Sequence, residues 1–124
     1  MTISELFSRL NDYGYYNHKV SKRVDNTLFS FQTKEMYRSG EKDRPSFNIV
    51  ERDSIFDDKL YYEPGCPVYQ FSFGLIPTVN PQLERKFYKT EELDNMFLIL
   101  STIIMQSVSE SIKRDINLTI LGII

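Results

Sequence analysis

His18 and Cys66 are the single histidine and the single cysteine of the chain, and together they are its one pairing suited to nucleophilic catalysis. A cysteine attacks as the thiolate, and an imidazole within hydrogen-bond reach can take up its proton. No spacing in the sequence brings the two together. Cys66 belongs to Pro64-Gly65-Cys66-Pro67, a turn signal, so the expectation is a structural cysteine and no catalytic residue. One histidine and one cysteine are also too few for a zinc site, which takes three or four nitrogen and sulfur ligands.

Carboxylates offer harder chemistry. Glu51, Asp53, Asp57 and Asp58 fall close together, and Asp57-Asp58-Lys59 has the acid–any–lysine spacing of restriction-type nucleases. There the acids hold Mg²⁺ and the lysine helps position the attacking water. The pattern is cheap, since Glu84-Arg85-Lys86 fits it as well and the upstream acid it requires would have to be a residue such as Asp43. A Mg²⁺-dependent nuclease is therefore the third-ranked reading. The plainer one is a solvated acidic loop, which on an inhibitor would resemble nucleic-acid phosphates and meet a basic partner by charge complementarity. No glycine-rich phosphate loop exists, because the glycines are scattered at 14, 40, 65, 74 and 122. The sequence implies no metal and no cofactor.

Tyr13, Tyr15, Tyr16, Asn17, His18, Lys19, Lys22 and Arg23 form the most basic and tyrosine-rich segment. Rings interleaved with cations can stack on bases and meet phosphates, so Tyr15, Tyr16, Lys19, Lys22 and Arg23 are the candidate residues for a nucleic-acid or small-ligand site. The net charge of the whole chain is -2, which argues against a general nucleic-acid binder. A connecting segment whose rings cover the core is the favoured reading.

The elements that must position these groups come next. The 124 residues, 41% of them hydrophobic, suffice for one domain with one core, spanning 1–124. With one cysteine no intramolecular disulfide can form, and the N-terminal residues lack the basic and apolar regions of a signal peptide. The expectation is a cytoplasmic protein. Thr2 and Glu5 have capping-box spacing, Ile3, Leu6, Phe7 and Leu10 follow at helical steps, and Gly14 suits a left-handed stop. This predicts a short amphipathic helix from Ile3 to about Tyr13. Alternation predicts strands at Leu28–Gln32 and Ser46–Arg52, paired as a hairpin, and at Val68–Ile76. A short strand at Leu60–Tyr62, a helical turn within Gln82–Lys89 and a last strand at Ile116–Ile120 are weaker expectations.

The longest pattern runs from Thr90 to Asp115. Leu93, Met96, Phe97, Leu100, Ile103, Ile104, Val108 and Ile112 recur at three- and four-residue steps, predicting one long, largely buried helix. Thr90 would cap it, and Lys113 and Arg114 would sit near its negative end. Ser101, Thr102, Gln106, Ser107 and Ser109 interrupt the apolar run, so it is no membrane span. Leu98, Ile99 and Met105 lie off the main stripe and need other cover, either the apolar C-terminus or a second copy in a homodimer. The fold class that follows is α+β: an antiparallel sheet of three to five strands with a short N-terminal helix and a long C-terminal helix on one face.

Small, compact, slightly acidic chains without catalytic motifs include phage-encoded inhibitors of bacterial defence, such as anti-CRISPR proteins, and toxin-neutralising immunity proteins. By that analogy of kind, with no residue match behind it, the expected function is non-catalytic. The chain would be a protein-binding module, an inhibitor or adaptor acting by surface blockade, with Glu51, Asp53, Asp57 and Asp58 as one contact region and Leu98, Ile99 and Met105 as another. Nucleic-acid or small-ligand binding through residues 13–23 is the alternative.

Overall fold

The computed structural model describes residues 1–33, 46–52, 66–73 and 86–122. Helix α1 spans Ile3–Asp12. Thr2, in extended conformation before it, accepts a 3.1 Å hydrogen bond from the Glu5 backbone N–H, and its hydroxyl lies 3.3 Å from the Glu5 carboxylate. One of the free donors of the first turn is thereby satisfied. Leu6 and Leu10 bury completely. Gly14, at φ 85°, makes the left-handed stop and donates to Asn11 O at 2.9 Å.

Five antiparallel strands follow in spatial order identical to chain order: β1 (Tyr15–Lys22), β2 (Asn26–Thr33), β3 (Phe47–Arg52), β4 (Val68–Phe73) and β5 (Tyr88–Lys89). The period-two patterns decide which face is buried. Phe31 pairs with Phe47 and Phe47 with Phe73, and Phe29, Ile49 and Phe71 form the next such row. The Phe31 and Phe47 rings stack at 5.1 Å, and Phe47 meets Phe73 at 5.4 Å. Leu6 and Leu10 of α1 close over this face together with the C-terminal helix that begins at Leu93.

Expectations about the sheet need correction at two places. The segment 13–23 is not a connection; Tyr15–Lys22 is a full edge strand. Its alternation is hidden by a β-bulge at His18, where the register shifts between Asn17 and Lys19. With its amide oriented to donate, the Asn17 side-chain nitrogen lies 2.8 Å from Lys19 O and 3.0 Å from Ser30 O, bridging the irregular step. Of Gln82–Lys89, where the sequence suggests a helical turn, residues 82–85 lie outside the described residues and Tyr88–Lys89 is a strand that pairs with Val68–Tyr69. The expected strand at Leu60–Tyr62 lies outside the described residues.

The long helix is two. A 3₁₀ turn at Thr90–Glu92 leads into α2 (Leu93–Ser107), and α3 (Glu110–Ile120) follows after a break at Val108 and Ser109. Ile116–Ile120 is therefore helix and not strand. Thr90 is not the cap; instead the Lys89 N–H donates to the Glu92 carboxylate at 3.2 Å. Lys113 and Arg114 fall in the N-terminal half of α3, where Lys113 pairs with Glu110 at 3.2 Å. The break has a geometric cause. Apolar residues at Leu100, Ile104, Val108, Ile112 and Ile116 recur every four residues, which overshoots a helical turn by about 40° each time. Across those four steps a straight helix would rotate Ile116 about 160° away from Leu100. Breaking at Val108 resets the phase, and Val108, Ile112 and Ile116 form a second small core with Tyr13 and Met105.

Candidate functional site

The inner face of the sheet is consumed by the core, so among the described residues a site can lie on the outer sheet face, on the β1 edge or on the outside of the helices. The outward positions of the three middle strands form cross-strand rows. One row is Ser30, Asn48 and Ser72, extended at the edge by Lys19; the next is Leu28, Val50 and Gln70, extended by Ser21. Gln32 donates to the Tyr16 hydroxyl at 3.0 Å and ties the edge to this strip. Among the described residues of β2, β3 and β4, Arg52 alone brings a charge to this face, and it lies at one end. Most of these side chains are half-buried. Arg52 places its guanidinium 5.9 Å from the Phe87 ring, while its buried Nε finds no hydrogen-bond partner among the described residues.

The β1 edge carries the cations. His18, Lys19, Lys22 and Arg23 are exposed, and Val24 at the hairpin tip is fully so. The tyrosines of this segment divide. Tyr15 is completely buried, with its ring 5.0 Å from Phe47, so it cannot stack on a base and the expectation for it is overturned. Tyr16 is half-buried on the outer face, 6.3 Å from the His18 ring. Lys19, Lys22 and Arg23 keep the exposure that a phosphate contact requires.

On the helical side, Leu98 is 64% exposed. Ile99 packs against the main core and Met105 against the second one, so of the three residues expected at an oligomer interface Leu98 offers most surface. A shallow groove of about 360 Å³ runs beside it, lined by Ser101, Thr102, Met105, Gln106 and Lys113. The helix serines have local work: Ser101 Oγ donates to Leu98 O at 2.9 Å and Ser107 Oγ to Ile103 O at 2.8 Å.

The fold does not bring His18 and Cys66 together. His18 sits on edge strand β1, whereas exposed Cys66 precedes β4, three strand spacings or about 14 Å across the sheet. Among the described residues no group of three or more histidine, cysteine, aspartate or glutamate side chains is placed to hold a metal ion. Glu51 is half-buried on β3, while Asp53, Asp57 and Asp58 lie outside the described residues, as do Lys59 and Asp43. No described helix is long and apolar enough to cross a membrane. The outer sheet strip is what the sequence reading missed. Its signal was present as the polar half of each alternating strand, Ser30 and Gln32 beside Phe29 and Phe31.

Comparison of the chain with protein-family models, with curated proteins and with solved structures gave no match.

Proposed function

We propose that the chain is a non-catalytic protein-binding module, an inhibitor or adaptor that covers a partner's surface with the outer face of its sheet. The observation that carries this reading is the composition of that face: Ser30, Gln32, Asn48, Gln70 and Ser72 around Leu28 and Val50, with Tyr16 at the side. Solvated sheet faces ordinarily carry lysine and glutamate, whereas the centre of a protein interface is depleted of charge and its rim is polar. An uncharged strip, flanked by the Lys19 and Arg52 cations, fits the second description. Ser30, Asn48 and Ser72 also have fewer rotatable bonds to immobilise than the lysines and glutamates of a solvated face.

The test uses immobilised protein and lysate from the native host, with wild type beside Asn48→Lys, Ser30→Lys and Leu98→Asp. A partner held by wild type and by Leu98→Asp but weakened about tenfold or more by either sheet variant is the expected result, since a buried unpaired charge costs at least that much. Undiminished binding to both sheet variants would remove this face from the proposal.

A second reading rests on the exposed Lys19, Lys22 and Arg23 beside Tyr16, which suit a single-stranded nucleic acid. Affinity for an oligonucleotide that falls steeply with salt and disappears on neutralising these cations would favour it. No binding at low salt would end it.

A further inference from the structure

We propose that α3 is an exchangeable arm and that a second copy of this chain is its alternative partner, giving a domain-swapped dimer hinged at Val108–Ser109. The inference does not depend on the sheet face being a binding surface. The seat of α3 consists of Tyr13 and Met105 around Val108, Ile112 and Ile116. These contacts leave α3 tied to the rest of the fold by a small apolar cluster, and the same α3 from another copy would satisfy the seat with identical chemistry.

The hinge has the sequence Ser107-Val108-Ser109-Glu110, with no proline or glycine to enforce the break. Local bonds hold it instead. Ser109 lies at φ -68°, ψ 163°, and its Oγ accepts from the Ile112 N–H at a long 3.4 Å. Ser107 bonds back to Ile103 O, a contact that bends helices slightly. Nothing covalent prevents residues 107–110 from taking helical dihedrals and joining α2 to α3 as one rod.

The apolar spacing says what that rod would present. In the broken form Ile112 and Ile116 turn back onto Tyr13 of their own chain. In the straight form the four-residue repeat places Ile116 about 160° around the axis from Leu100. The Leu100 side stays on its own sheet, and the Ile112–Ile116 side faces a different body. Two chains straightened in this way would each supply α3 to the other's vacant seat about a two-fold axis near the hinge.

Ser109 permits opposite perturbations. Proline fits the broken form, because φ at 109 is already in its range and Val108, at φ -107° and ψ 157°, has the extended backbone that precedes proline. Proline is incompatible with the interior of a straight helix. Alanine removes the serine cap of the broken form and favours the helix. Wild type, Ser109→Pro and Ser109→Ala are refolded from denaturant at high protein concentration and their masses read by light scattering after size-exclusion. Wild type is expected to give a slowly exchanging dimer beside the monomer. Ser109→Ala should raise the dimerisation constant about tenfold, two weak caps being lost per dimer, and Ser109→Pro should be monomeric with unchanged circular dichroism. If Ser109→Pro fails to fold, the comparison of Ser109→Ala with wild type decides: an unchanged dimer fraction overturns the proposal. So does a strictly monomeric wild type and Ser109→Ala, or a dimer that persists in Ser109→Pro. A dimer abolished by Leu98→Asp but indifferent to residue 109 would be ordinary association through α2, and equally fatal to the swap.

Discussion

Tyr88 carries a hydroxyl that solvent does not reach and that finds no hydrogen-bond partner among the described residues. Its ring lies in the core, 6.2 Å from Phe71, with the Lys86 ammonium 5.1 Å from its centroid. Burial raises the phenol pKa above 10.0, and the negative charge of Glu92 raises it further. The consequence for stability has a definite sign. Between 10.0 and the higher folded value the native state holds a proton that the unfolded state has released, so stability is full below pH 10.0 and falls as pH rises through the folded pKa. Tyr88→Phe deletes both the orphaned hydroxyl and the titration. Urea unfolding should find the variant equal to or slightly more stable than wild type at neutral pH. Above pH 10.0 the difference between the two should widen in favour of phenylalanine; parallel curves would refute the assignment. Neighbouring Tyr15 and Tyr16 supply a second residue-scale expectation. Tyr15→Ala removes a fully buried ring and should cost about 3 kcal/mol or more, whereas half-buried Tyr16→Ala should cost roughly 1 kcal/mol. Similar losses for both would mean that strand alternation does not place the two rings on opposite faces as described.

At the scale of the element, α2 decides what could be read from sequence and what could not. Its repeat correctly marks Leu93, Met96, Leu100 and Ile104 as core, and all four are fully buried. Leu100→Ala should therefore cost about 2–5 kcal/mol, and Leu98→Ala, at an exposed position, should change stability by no more than about 0.5 kcal/mol. Denaturant midpoints would check both. A repeat reports which residues are apolar, not where the chain turns. The stop after Ser107 uses no helix breaker, only a serine cap and the accumulated rotation of a four-residue step, so the pattern reads straight through it. β1 escaped for a related reason. An extra residue at His18 shifts the alternation by one, and period-two reasoning then finds no strand between Tyr15 and Lys22. The first helix was legible to within a residue, because Thr2, Glu5 and Gly14 mark its ends by chemistry as well as by period. The outer sheet strip, proposed as a binding face, was not legible as one, since serine, asparagine and glutamine in a strand look the same whether they face water or a partner.

For the molecule as a whole, the described residues fall into two apolar clusters of unequal size. The larger joins α1, the five strands and α2 around Phe31, Phe47, Phe71 and Leu100. The smaller is Val108, Ile112 and Ile116 on Tyr13 and Met105. Beyond it the apolar stripe runs off the fold, since Ile120 is 47% and Leu121 72% exposed. Local opening free energy follows the apolar surface that opening would expose. Opening α3 uncovers three aliphatic residues, whereas opening β3 dismantles the sheet. Native-state hydrogen exchange should therefore show the amides of α3 exchanging well before those of β2, β3 and α2. Ile112→Ala sharpens the test because Ile112 belongs to the smaller cluster alone. It should accelerate exchange throughout α3 by about tenfold or more, since truncating a buried isoleucine costs about 2 kcal/mol or more, and leave the slowest amides of β3 nearly unchanged. Equal acceleration in β3 would mean that both clusters open together, and α3 would then be a fixed part of the core with no separate equilibrium of its own.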